Sequence, residues 1–204
     1  MAMTKFDQRY AGAEFFYGTE PNTFLTEMAG HIPARGAVLS LGEGEGRNAV
    51  WLAQRGLHVH ALDESAVGLA KAESLAAARG VAITTECVDL AHYELEPSSW
   101  DAIVSIWCHV PSTLRRRLHQ RVRTALRPGG VFLLEAYTPA QIGRGTGGPS
   151  DADLMPTARE LDEDFAGLEV IRSRECERDV REGAGHKGPS AVLQWIGRRP
   201  GGAG

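Results

Sequence analysis

The sequence is poor in cysteine and has no long apolar segment. Its 204 residues include three cysteines, Cys87, Cys108 and Cys176. They are odd in number and never spaced as C-x-x-C, so neither a disulfide framework nor a metal site is indicated. No stretch approaches the roughly 18 apolar residues that a membrane span needs, and the N-terminus has no apolar signal segment. We therefore expect a cytoplasmic protein without a metal or a membrane partner.

The sequence also lacks a strong excess of charge of either sign. Its net charge of -4 and its 43% hydrophobic residues are those of an ordinary globular protein, and they argue against a chain built mainly to bind nucleic acid. The basic segment 115–127 is interpreted as a solvated helix face. The length predicts one domain, with an N-terminal cap or lid at 1–35, a main body at 36–199 and a disordered tail at 200–204. The sequence does not indicate the oligomeric state.

After residue 36, strand-like and helix-like segments alternate, which is the pattern of a parallel sheet covered by helices on both faces. Strands are predicted at 37–41, 57–62, 81–87, 102–107 and 131–136, and helices at 47–54, 65–79 and 112–126. The segments 168–176 and 191–197 are strand-like with no helix between them, so we expect them to pair antiparallel. Residues 143–148 and 182–188 are predicted to be loops.

Three alternating glycines, Gly42, Gly44 and Gly46, lie between the first predicted strand and the first helix. They allow a tight turn and close approach of a ligand, and the helix that follows offers unpaired N–H groups. The run from Gly44 to Ala49 also fits the G-x-G-x-x-A dinucleotide fingerprint. Asp63, after the second strand, could accept hydrogen bonds from ribose hydroxyls. These residues predict a nucleotide-like ligand without deciding its chemistry.

Three features favour S-adenosylmethionine over a nicotinamide cofactor. Asp89 follows the third predicted strand, where a carboxylate could accept from an adenine amino group while Val88 and Leu90 flank the ring. The segment 126–130, Leu-Arg-Pro-Gly-Gly, separates a helix from the fifth strand. The third feature is the antiparallel pair that ends the chain.

From about Phe6 to Arg199, the chain resembles the class I S-adenosylmethionine-dependent methyltransferases. The resemblance implies an α/β, Rossmann-like fold: a mostly parallel seven-stranded sheet with an antiparallel C-terminal strand pair and helices on both faces. Residues 6–10 and 17–22 are similar to the cap of a small-molecule subgroup that includes tellurite-resistance-type and thiopurine-type enzymes. S-adenosylmethionine would be the cofactor and S-adenosylhomocysteine its product.

The resemblance also implies which residues bind the cofactor. They are Tyr17, Ser40, Gly42, Gly44, Gly46, Asn48, Asp63, Glu64, Asp89, Leu90 and Trp107. Ser40 is a departure, because the family commonly has an acidic residue two positions before the first glycine. A serine cannot neutralise the ammonium group of the methionine portion. Glu43 or Glu45 could supply the charge, or both could face solvent.

The acceptor site is expected where the fourth and fifth strands end, because that edge faces the crevice in open α/β sheets. The candidate catalytic residues are His109, Tyr137 and Glu135, and the candidate substrate-binding residues are Cys108, Arg144 and His186. Arg144 and His186, with Lys187, would form a cationic rim. Structural alternatives are a helix-capping histidine at 109, an ion pair at Glu135 and a small buried thiol at Cys108.

Methyl transfer requires alignment and exclusion of water more than it requires a base, which helps only when the acceptor must lose a proton. The sequence therefore predicts methyl transfer to a small molecule, with a thiol, a thiopurine-like heterocycle or a chalcogen oxyanion as the guessed acceptor. Two alternatives are an NAD(P)-dependent oxidoreductase and a non-catalytic nucleotide-binding protein.

Overall fold

The alternating segments form a seven-stranded sheet in the computed structural model, which describes residues 3–201. The strand order is β3-β2-β1-β4-β5-β7-β6; the first five are parallel, and β7 runs antiparallel to both β5 and β6. The strands are β1 (Ala37–Leu41), β2 (His58–Asp63), β3 (Thr84–Cys87), β4 (Trp100–Ile106), β5 (Leu126–Tyr137), β6 (Glu169–Glu182) and β7 (His186–Arg198). The predicted fold class is confirmed.

Six α-helices flank the sheet in the described part of the chain. They are α1 (Lys5–Tyr10), α2 (Thr23–Met28), α3 (Arg47–Gln54), α4 (Ala66–Ala78), α5 (Ser112–Ala125) and α6 (Ala158–Asp164). Helix α4 begins after Ser65, which caps it, because the Ser65 hydroxyl accepts the Gly68 N–H at 3.0 Å. The cap at 1–35 contains α1 and α2, which sequence reasoning did not assign as helices.

The alternation of side chains along the strands creates a core on each face of the sheet. Val38 of β1 packs with Phe24 of α2 and Leu52 of α3, whereas its neighbour Leu39 packs with Leu118 of α5 on the opposite face. The second core continues through Phe132, Phe165 and Trp195, whose rings stack on one another. Helices on both faces are therefore confirmed.

The last two strands are longer than predicted, and this corrects the expected loop at 182–188. Strand β6 ends at Glu182, β7 begins at His186, and these two residues pair, so only residues 183–185 form the turn. The sequence hid this extension because β6 is an edge strand whose polar residues are mostly exposed. Helix α6 was missed for a related reason: it has seven residues and is mostly charged.

The segment 126–130 belongs to β5 rather than to a separate turn. Leu126 pairs with Trp100 and Val131 with Ala102, and the register shift between these pairs accommodates the extra residues as a bulge. Residues 202–204 of the predicted tail lie outside the described residues. Among the described helices, none is both long and apolar enough to cross a bilayer.

Candidate active site

A cavity of about 620 Å³ lies beyond the carboxyl ends of β1, β2 and β4. Strand β1 lies between β2 and β4, so the order of the strands runs one way across the sheet from β1 to β3 and the other way from β1 to β5. Open α/β sheets bind ligands at the carboxyl ends of the strands where this order reverses. Helix α1 and the segment 16–18 supply another wall of the cavity, and the β6–β7 turn contributes Gly185. The cap therefore takes part in the cavity.

The glycine loop is packed too closely for side chains. Gly44 has a φ of 64°, and a Cβ there would lie 2.7 Å from the Tyr10 hydroxyl oxygen. Gly46 has a φ of 90°, and its Cβ would lie 2.5 Å from the Cβ of Ala72 in α4. At these two positions the loop is packed against α1 and α4, and this packing is what requires glycine there.

Asp63 holds the glycine loop and lines the cavity. Its Oδ2 accepts the Gly44 N–H and its Oδ1 accepts the Ser65 N–H, both at 2.8 Å. Burial raises the pKa of Asp63 to about 6, although both N–H donors act in the opposite direction. Each carboxylate oxygen has a second lone pair, so the group can also accept hydrogen bonds from ribose hydroxyls.

Glu43 is buried beside Ser40 and does not face solvent. The Ser40 hydroxyl donates to Glu43 Oε2, while Oε1 accepts the N–H groups of Asn48 at 3.0 Å and Ala49 at 2.9 Å. Burial raises the pKa of Glu43, although these hydrogen bonds oppose the shift. Glu43 lines the cavity, whereas Ser40 lies behind it. A carboxyl group is therefore present at the start of α3 despite the serine at position 40.

Glu45 joins the glycine loop to the cap. Its Oε2 accepts the N–H groups of Phe16 at 2.8 Å and Tyr17 at 3.3 Å, and its Oε1 accepts from the Lys71 ammonium at 2.8 Å. Glu45 as a whole is 4% exposed. Like Glu43, Glu45 does not face solvent, and its contacts position the segment that contains Tyr17.

Two further contacts hold the cap. Asp7 of α1 accepts a hydrogen bond from the Ser65 hydroxyl at 2.7 Å, which places α1 at the start of α4. In the β6–β7 turn, the Ala184 N–H donates to the Phe16 carbonyl at 2.8 Å. The cap is thus connected to both ends of the sheet.

Five rings form a continuous cluster at the ends of β4, β5 and β7. Trp107 lies 4.5 Å from Tyr137 and 4.9 Å from His186 between ring centroids, and Tyr17 lies 4.6 Å from His186. His109 stacks on Tyr137 at 5.6 Å. Of the five rings, Tyr137 is fully buried, whereas the other four line the cavity.

His109 lines the cavity, where it was predicted to lie. Its burial and the hydrogen bond that it accepts both keep its imidazole neutral. Its Nε2 accepts the Tyr137 N–H at 3.1 Å. Burial lowers the pKa of His109 to about 3. In this arrangement, the lone pair of a general base is already used, and the ring serves as a wall of the cavity.

Glu182 lies at the centre of a buried charge network that sequence reasoning missed. It accepts from Trp107 Nε1 at 2.5 Å and from Arg178 at 3.0 Å, and it pairs with Arg47. Burial alone would raise the pKa of Glu182, but His186, Arg47 and Trp107 together hold it below its usual range. Glu182 falls in the predicted loop, where no local pattern marks it.

Glu135 belongs to this network and does not line the cavity. It is fully buried and accepts two hydrogen bonds from Arg178, at 2.9 and 2.6 Å, and one from Gln194 at 2.8 Å. The structure thus gives Glu135 the ion-pair position that the sequence left as an alternative. Tyr137 is likewise absent from the cavity lining, and burial raises the pKa of its hydroxyl.

The expected cationic rim is not assembled. Arg144 is paired with Glu177 at 2.6 Å and does not line the cavity. His186 is 6% exposed, and burial lowers its pKa. Cys108 lines the cavity, as a substrate-binding residue would, in close contact with Gly42, and burial raises the pKa of its thiol to about 12.

Most of the residues predicted to bind the cofactor meet at the cavity. Those that line it are Tyr17, Gly42, Asn48, Asp63, Glu64, Asp89, Leu90 and Trp107. Ser40, Gly44 and Gly46 do not line it. The Asp89 side chain is 58% exposed and accepts the Ala91 N–H at 2.8 Å.

Comparison with known proteins assigns this arrangement to a class. Residues 38–130 match the family described as a methyltransferase domain. The structure of TehB from Haemophilus influenzae superimposes with a TM-score of 0.73 at 18% identity, over 95% of this chain and 65% of that one. Residues 38–130 thus match a methyltransferase domain, and the predicted fold of the class I methyltransferases is confirmed.

Two curated relatives match by sequence. Phosphoethanolamine N-methyltransferase 2 of Caenorhabditis elegans is 32% identical over 138 residues, which are 66% of this chain and 30% of that protein. The 2-heptyl-1-hydroxyquinolin-4(1H)-one methyltransferase of Mycobacteroides abscessus is 24% identical over 145 residues, 70% of this chain and 63% of that protein. The chain thus spans less than two thirds of each relative's length.

Proposed function

We propose that this chain transfers a methyl group from S-adenosylmethionine to a small-molecule acceptor. The observation that carries the proposal is the position of Asp63, which lines the cavity while it holds the backbone of the glycine loop through Gly44. When bound, the cofactor supplies an electrophilic methyl group. The protein positions the two reactants and excludes water from them.

The residues that line the cavity have separate roles in this proposal. Asp63 accepts from the ribose hydroxyls, and Asp89, with Leu90, binds the adenine. Glu43 supplies the charge for the ammonium group that Ser40 cannot provide. Tyr17 and Trp107 close the site on the side of the cap. The structural support for these roles is that each of these residues except Ser40 lines the cavity.

The acceptor is a small molecule in this proposal, and the sequence suggested a thiol, a thiopurine-like heterocycle or a chalcogen oxyanion. The names of the two curated relatives, one acting on phosphoethanolamine and one on a hydroxyquinolinone, support a small acceptor. The arginines of α5 support the absence of a nucleic-acid partner, because Arg115 and Arg121 donate to backbone carbonyls of the chain itself. We also propose a cytoplasmic location, which the three free thiols support.

Calorimetric titration of the protein with S-adenosylmethionine and S-adenosylhomocysteine tests the proposal. We expect both to bind, and we expect Asp63→Ala to weaken both. Thr85→Ala, an exchange on the exposed edge of β3, serves as a control that leaves binding unchanged. Absence of binding to the unmodified protein, or binding of NADH in its place, would overturn the proposal.

A further inference from the structure

The cavity has two chemically different halves. Residues at or just beyond the carboxyl ends of β1, β2 and β3 supply the carboxylates Glu43, Asp63 and Asp89. Among the described residues from β4 onward, those that line the cavity include no Asp, Glu, Lys or Arg. This aromatic half is formed chiefly by Trp107, His109, Val110, Pro111, Leu114 and His186.

The rings of the aromatic half are held in place from behind. Glu182 accepts from Trp107 Nε1 at 2.5 Å, and the Tyr137 N–H donates to His109 Nε2 at 3.1 Å. The planes of His109 and Tyr137 differ by 16°, and those of Trp107 and His109 by 23°. Trp107 and His109 therefore offer nearly parallel faces, which favour a planar guest by offset stacking.

The cations that line the rest of the cavity already have partners. Arg47 pairs with Glu182, and Arg9 donates to the Tyr17 hydroxyl at 2.7 Å. The Lys5 ammonium lies 5.0 Å from the centroid of the neighbouring phenyl ring of α1. Within the described residues, the aromatic half itself contributes no cationic side chain that could pair with a phosphate or an oxyanion, so a strongly anionic acceptor is disfavoured there.

In the part of the chain that the structure describes, the aromatic half offers no carboxylate for an ammonium group, and its two imidazoles, His109 and His186, are buried and have lowered pKa values. The lone pair of His109 Nε2 is occupied, and the ring is neutral at pH 7. The carboxylates behind the rings, Glu135 and Glu182, are paired with Arg178. An acceptor atom that is already nucleophilic when it enters the site needs no proton transfer to either imidazole.

We propose that the acceptor is a planar heteroaromatic molecule whose reacting sulfur, oxygen or ring nitrogen is nucleophilic at neutral pH without a base from the enzyme. A lone pair of that atom forms the bond to the methyl carbon, and the carbon–sulfur bond breaks with its electrons remaining on sulfur. No proton moves when the acceptor atom is anionic. This inference rests on the proposed function, and among the suggested acceptors it favours the heterocycle over the oxyanion.

The test compares acceptors on the full chain saturated with S-adenosylhomocysteine. Binding is measured by calorimetry for 2-mercaptoquinoline, cyclohexanethiol, phosphoethanolamine and tellurite. We expect 2-mercaptoquinoline to bind at least tenfold more tightly than the other three. We also expect Trp107→Leu to weaken this binding about three- to tenfold, while Trp107→Phe, which keeps a flat ring, retains most of it. Trp51→Phe, an exchange in α3 away from the cavity, is the matched control and leaves binding unchanged.

With S-adenosylmethionine present, mass spectrometry should detect the S-methyl product of 2-mercaptoquinoline. The inference is overturned if tellurite or phosphoethanolamine is methylated more efficiently, or if cyclohexanethiol binds as tightly as the heterocycle. It is also overturned if S-adenosylhomocysteine binds and the heterocycle does not, a result that leaves the proposed function intact. If S-adenosylhomocysteine itself fails to bind, the proposed function fails first.

Discussion

The hydroxyl of Ser40 donates a hydrogen bond to the carboxyl group of Glu43. The other oxygen of this group accepts two N–H groups at the start of α3, from Asn48 and Ala49. The residue pair thus provides, from the turn, the acidic group that related proteins commonly carry at the end of the first strand. The serine acts here as a donor to the acid and not as its substitute.

Introducing the acid that the family commonly has should therefore destabilise this chain. Ser40→Asp places a second carboxylate against Glu43 in a buried position, so we expect the free energy of unfolding to fall by ~1–3 kcal/mol at pH 8. Urea denaturation measures the change. Glu43→Gln in the same background removes one charge and should recover most of the loss. A Ser40→Asp protein as stable as the unmodified one would contradict this account.

Local spacing was sufficient to predict which residues meet at the cofactor half of the cavity and insufficient to predict how the other half is built. Asp63 lies only 19 positions from Gly44, and both follow strands that the apolar pattern revealed. Trp107 and its partner Glu182 are 75 positions apart, and their contact depends on how far the β6–β7 hairpin extends. The polar edge strand concealed that length. The ion pairs of Glu135 were hidden for the same reason, because Arg178 belongs to β6.

Cofactor binding should depend on pH through Asp63. Burial raises the pKa of its carboxyl group from 3.8 to about 6, and the ionised form accepts ribose hydroxyls better. Affinity should therefore be nearly constant above about pH 7, be about halved near pH 6 and fall by up to about tenfold per pH unit below that. Calorimetry between pH 5 and 8 measures this, and Asp63→Asn should bind weakly with a flatter profile. The same slope in the Asn variant would assign the titration to another group.

The raised pKa of Asp63 has the opposite effect on folding. Between about pH 4 and pH 6, the folded state binds a proton at Asp63 that the unfolded state has released. The contribution of Asp63 to the free energy of unfolding should therefore decrease as the pH rises through this window. Denaturation of the ligand-free protein, with Asp63→Asn as the reference, isolates this contribution; no difference in slope between the two proteins would count against a buried, perturbed carboxyl group.

Glu45 should control the opening of the cap. Because its carboxylate accepts the N–H groups of Phe16 and Tyr17, Glu45→Ala should speed hydrogen exchange at both amides by about tenfold or more. Glu14→Ala, which removes an exposed side chain from the same segment, is the control and should leave the exchange rates unchanged. Equal protection in both variants would show that other contacts hold the cap. Repeating the exchange with S-adenosylhomocysteine tests whether a bound ligand protects these amides further.

Removal of Glu182 should cost much more stability than removal of a neighbouring exposed acid. Glu182→Ala leaves the buried guanidinium of Arg47 without its carboxylate, and breaking such a pair costs about 3–5 kcal/mol. Asp179→Ala, three positions away on the same strand, breaks an exposed pair with Arg181 and should cost at most about 1 kcal/mol. Urea denaturation of the two variants compares these costs directly. Similar values would mean that water solvates Arg47 once Glu182 is absent, and the fixed position of Trp107 would then need another explanation.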